Sequence, residues 1–126
     1  MPIGQAYTAP GVRVKRPVRT EQIVLSQSLD PLTGVRIEES LPVKGTISSI
    51  VFHFPRGCNA LVDVAVGHGE RQICPSKTGV IALDEATPVI PVSEKAEEGD
   101  IAWAEMANGD GVNSHTITVI ITVEGD

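Results

Sequence analysis

The chain has 126 residues, 41% hydrophobic and 21% charged, which suits one packed domain and excludes a disordered polymer. No apolar run approaches the roughly 18 residues that span a bilayer, and Met1-Pro2-Ile3-Gly4-Gln5 has no basic stretch leading into an apolar one. Neither a membrane helix nor a conventional secretory signal is therefore expected. The net charge of −6 is unevenly divided: residues 1–22 hold Arg13, Lys15, Arg16 and Arg19 against Glu21 alone, and six basic face fifteen acidic residues in the remainder.

Residues 1–22 read as an extended basic arm. Pro2, Pro10 and Pro17, with Gly4 and Gly11, exclude a helix, because each proline removes a donor and biases its predecessor away from helical geometry. Val12-Arg13-Val14-Lys15 alternates as a short strand would. Such an arm has no core and orders by adding to a sheet edge or lying on a partner. Its docking candidates are Val12, Arg13, Val14, Lys15, Arg16 and Arg19. Four cations ahead of an acidic body make a poor phosphate footprint, so the expected partner is an acidic protein surface and not nucleic acid.

Residues 23–126 read as strand after strand. Gln22 to Gln27 carries Ile23-Val24-Leu25, and Asp30-Pro31-Leu32-Thr33-Gly34 is a turn. Val35 and Ile37 alternate with Arg36 and Glu38 in a half-buried strand. Thr46 to Phe54 places Ile50, Phe52 and Phe54 on one face, and Ala60 to Val66 does the same for Val62, Val64 and Val66. Gly67-His68-Gly69 joins this strand to Arg71–Cys74 as a hairpin. Gly79 to Leu83 is a shorter apolar segment, and Thr87 to Val92, with Pro88 and Pro91, is an edge strand or an extended crossing. Ile101 to Met106 follows, then the loop Asn108-Gly109-Asp110-Gly111. In the last strand Ile117, Val119, Ile121 and Val123 point inward, while Ile120 breaks the polar face and suggests contact with a neighbour. About eight strands and no credible helix predict an all-β antiparallel sandwich or jelly roll.

The chemistry-bearing residues are sparse. His53, His68 and His115 lack ligand-like spacing, so outward or loop positions are expected and no metal or cofactor. Asn108, Asp110 and Asn113 superficially resemble a calcium loop, but Val112 fills a ligand slot and no acid follows until Glu124, which favours a plain hairpin loop. Cys58 and Cys74 suit either a disulfide or two buried thiols. No nucleophile elbow, phosphate loop or acid–base pair is evident, so an enzyme is not expected. Trp103, between two alanines, is expected to fill the sandwich interior.

The stretch Phe52-His53-Phe54-Pro55-Arg56-Gly57-Cys58-Asn59-Ala60-Leu61-Val62 and the closing His115-Thr116-Ile117-Thr118-Val119 resemble small β-sandwich proteins of tailed viruses. More widely the chain resembles capsid decoration, or cement, proteins, in which a proline-bearing arm precedes a jelly roll seated on the shell. The resemblance covers residues 45–123 loosely and transfers no binding residue. It implies a structural role on the virion surface after assembly in the host cytoplasm, a shell protein as partner, and a homo-oligomer, a trimer first. An expectation of another class is an extracellular adhesin-like module that holds a glycan or protein with its end loops, through His68, Arg71, Asn108, Asp110 and Asn113. The missing signal and the 3% aromatic content weigh against it.

Overall fold

The computed structural model describes residues 19–126. Eight strands follow in order: β1 Thr20–Leu29, β2 Gly34–Ser40, β3 Gly45–His53, β4 Val62–His68, β5 Arg71–Cys74, β6 Val89–Ala96, β7 Ile101–Asn108 and β8 His115–Gly125. They form two four-stranded sheets, ordered β1-β8-β3-β6 (sheet A) and β2-β7-β4-β5 (sheet B), with every pairing antiparallel. The expected all-β sandwich is thus present, and its strand order is that of a jelly roll.

Period-two burial makes the core. Val62, Val64 and Val66 meet Ile47, Ile50, Phe52, Phe54, Ile117, Val119, Ile121 and Val123 across the interior, all of them fully covered. Ile47 joins this set because the β3 register shifts at Ser48 against both neighbours, a bulge that returns Ile47 to the inner face. The Asp30 turn forms as expected, closed by Thr33 N–H donating to the Asp30 carbonyl at 3.2 Å. β6 lies at the edge of sheet A, where Pro91 leaves no central ladder bond unmade. It runs on to Ala96, well past the Val92 end expected from its prolines. Gly79 to Leu83 forms no strand; Ile81 makes a single bridge to Val64.

Three expectations are corrected. Trp103 does not fill the interior: Ala102, Ala104 and Met106 point inward from β7, which turns Trp103 to the outer side of sheet B. The Asn108 loop is no hairpin, because β7 belongs to sheet B and β8 to sheet A, so it crosses between the sheets. Finally, β1 begins at Thr20, so the sheet takes in residues that the sequence assigns to the arm.

Candidate functional site

Val12, Arg13, Val14, Lys15 and Arg16 lie outside the described residues. Arg19 belongs to the sandwich margin: its Nε donates to Glu21 Oε1 at 2.6 Å, and its carbonyl accepts the Gly125 N–H at 2.6 Å.

The loop candidates fall at two opposite ends. Along the β4–β7 ladder Val62 faces Asn108 while His68 faces Ala102, six residues away, or about 20 Å. His68 and Arg71 stand together at one end, and Asn108, Asp110 and Asn113 at the other, so no single loop site contains all five.

At the first end His68 Nδ1 lies 2.9 Å from Glu94 Oε2, and Nε2 lies 2.8 Å from Asp100 Oδ2. Carboxylates only accept, so both bonds are made together by the protonated ring, a form with no lone pair for a metal. Burial opposes that charge, but the bonds to Glu94 and Asp100 outweigh it and raise the His68 pKa above its ordinary value. Asp100 is lowered, first by the Glu97 N–H and then by His68. Glu94, nearly buried, also receives the Arg71 guanidinium. This cluster ties β4 of sheet B to β6 of sheet A. Glu94 was not singled out from the sequence, although Ile90, Val92, Glu94 and Ala96 alternate and place a carboxylate on the inward side. That misplaced charge was the available signal.

The other end is a polar knot. Asn108 Nδ2 shares its hydrogens among the carbonyls of Leu29, Asp30 and Asn113 at 3.0–3.3 Å, and Asn108 Oδ1 accepts the Asp110 N–H at 2.9 Å. Asp110 takes the His115 ring at 2.9 Å and the N–H groups of Val112 and Asn113. His115 first, then those two N–H groups, hold the Asp110 carboxyl at about 2. His115 is therefore not outward or in a loop, as its spacing suggested, but buried at the start of β8. Asn108 and Asp110 have their polar atoms engaged internally, which makes this loop a fastening between sheets.

The turn that follows Phe54 is likewise fastened. Asp84 Oδ1 accepts the N–H groups of Gly57 and Asn59 at 2.8 and 3.0 Å, bonds that lower its pKa. Gly57 has φ +102°, a value that favours glycine. Cys58 and Cys74 are buried free thiols, and burial raises both pKa values, with Asp84 adding to the effect at Cys58. A raised pKa suppresses the reactive thiolate.

The outer faces differ in chemistry. On sheet B, Trp103 lies over Gly67 and beneath the Arg36 guanidinium, 4.3 Å from the ring centre, and its Nε1–H donates to the Gly69 carbonyl at 2.8 Å. Glu38 lies opposite it, Arg36 and Glu105 lie in the next outward row, and Asp63 lies farther along the same face.

On sheet A the ladders align three uncharged rows: Gln22–Thr122–Ser49–Pro91, Val24–Ile120–Val51–Val89, and Ser26–Thr118–His53 with Thr87 bonded to His53. The middle row is apolar across all four strands, and Val24 and Val89 are 58% and 64% exposed. Of this row the sequence pointed to Ile120 alone; the others become neighbours only through the register. No protein-family model and no curated protein matches the chain.

Proposed function

We propose that the chain is a non-enzymatic structural subunit of a larger multisubunit assembly, of the kind represented by capsid decoration proteins. The observation that carries this reading is the outer face of sheet A, which is free of Asp, Glu, Lys and Arg through three ladder rows on a chain of net charge −6. A flat uncharged face suits protein contact, because it is covered without desolvating a charge. The basic residues Arg13, Lys15 and Arg16 supply a second, electrostatic attachment to an acidic shell or neighbouring copy. In this reading the partner is a shell protein, the location a virion surface, and the chain self-associates. For the adhesin alternative, the two end loops lie at opposite ends and would have to bind separately.

Light scattering on the full chain and on a chain beginning at Arg19 tests this reading. Arg19 is the right starting point because its carbonyl holds Gly125. The full chain should have a mass that is a multiple of 13.3 kDa. Removing residues 1–18 should leave the domain folded and alter its assembly, and the arm's contribution should weaken with salt. Two folded monomers, the same at every salt concentration, would remove self-assembly from the reading.

A further inference from the structure

We propose that the outer face of sheet A is where two copies of this chain meet, face to face, with the row Val24–Ile120–Val51–Val89 at the centre. This rests on the reading of the chain as an assembly subunit and adds the surface on which copies join. Three observations select a second copy as the occupant.

The first is charge. Each copy is net −6, so two copies repel over most of their surface. The outer face of sheet B opposes a like-charged copy with Glu38, Asp63 and Glu105. Along the ladders the first charges come in the row Thr20–Glu124–Thr46–Lys95, beyond the three uncharged rows, where they are of opposite sign; past the other end Glu85 lies beyond Thr87. Two acidic copies can therefore meet over the three rows themselves without burying a carboxylate, since Glu124 and Glu85 lie outside them.

The second is self-complementarity. The apolar row crosses the sheet from edge to edge, β1 to β6. A two-fold axis lying between the copies, either along the row or along the strands, lays the row upon itself. In the first case Val24 faces its own counterpart; in the second it faces Val89. Either way Ser, Thr and Gln rows flank the apolar centre, as a polar rim flanks an isologous interface.

The third is area. Four strands about 4.8 Å apart and three rows about 6.8 Å apart cover about 400 Å² in plan on each copy. Two copies then bury about 800–1,000 Å², the size of a weak, concentration-dependent contact and below that of a permanent dimer. Association is therefore sought between about 10 μM and 1 mM, the range of weak contacts.

The test is sedimentation equilibrium on the full chain and on three variants across that range. V24D/V89D places two acids in the row. L32D/V112D adds the same charge at residues that are 72% and 81% exposed elsewhere. V24S/V89S removes apolar contact without adding charge, and circular dichroism with a thermal melt confirms that each variant is folded. The expected result is association of the full chain and of L32D/V112D with one midpoint. V24D/V89D should stay at 13.3 kDa, weakened at least about 100-fold, and V24S/V89S should shift the same way by less.

Association of V24D/V89D and V24S/V89S at the full chain's midpoint would overturn the face as the contact while leaving assembly through the arm standing. That surviving mode is read separately from the chain beginning at Arg19. Monomers throughout would overturn self-association altogether, leaving only attachment to a shell.

Discussion

The two outer faces of the sandwich each carry apolar side chains, and they treat them differently. Sheet B covers its largest: Trp103 is outward-facing yet only 4% exposed, because Gly67 gives the indole a bed and Arg36 a lid, while Ile101 beside it stays 37% exposed. Sheet A leaves Val24 and Val89 uncovered, with serine and threonine around them. An outward apolar residue is thus no docking signal by itself. What matters is whether the same sheet supplies its cover: sheet B does so for Trp103, and sheet A does not for Val24 and Val89.

Both faces depend on the sheets staying locked, and Asn108 is a buried lock between them. Asn108→Ala removes a buried amide that serves three carbonyls and one N–H, and should cost about 3 kcal/mol in chemical denaturation. Both faces should then loosen together. A loss below about 0.5 kcal/mol would show that solvent satisfies those groups as well as Asn108 does.

Gly67→Ala makes sheet B resemble sheet A. A Cβ at position 67 would sit 1.9 Å from the Trp103 ring, so the indole must leave its bed. The expected cost is about 2–3 kcal/mol, with the Trp103 emission shifted to the red. Unchanged emission would mean that the ring is not held by the absence of that carbon.

The ends sharpen the contrast through pH. His68 has a raised pKa in the fold, so its contribution is complete below its unfolded value of 6.5 and is lost as pH rises through the folded pKa. Asp110, held at about 2, contributes above its unfolded value of 3.8 and loses that contribution as pH falls toward 2; Asp100, also lowered, weakens in acid as well. Alkali therefore loosens the His68 end, which anchors edge strand β6 and its exposed Val89. The melting temperature should fall from pH 6 into the alkaline range, and His68→Gln should flatten that fall. The same slope in the variant would remove the clasp from the account.

The smallest effect is on the lid. Arg36→Ala should cost about 0.5–1 kcal/mol, the size of an exposed cation–π contact, and should increase acrylamide quenching of Trp103. Unaltered quenching would assign the cover to Gly67 and its neighbours alone.

The sequence made the strands legible wherever one face is buried. Val62, Val64 and Val66, and Ile117 through Val123, alternate so plainly that burial follows the letters. Pro88 and Pro91 announced an edge. Trp103 was not legible, because alanines on both sides leave either face open to it and only the inward set Ala102, Ala104 and Met106 decides. The Ser48 bulge leaves no mark in the letters either, since strict alternation from Ile50 would turn Ile47 to the other face. The apolar row of sheet A takes one residue from each of four strands that are distant in sequence, and only the register assembles it. Likewise the separation of His68 from Asn108 is a property of the β4–β7 ladder, which no local pattern encodes.

Methyl NMR spectra of the full chain along a dilution series show whether sheet A is the face that another molecule covers. The methyls of Val24, Val51, Val89 and Ile120 should shift together with concentration, while those of Leu32, Ile101 and Val112 stay fixed. Shifts confined to residues outside sheet A, or spectra identical at every concentration, would contradict sheet A as that face.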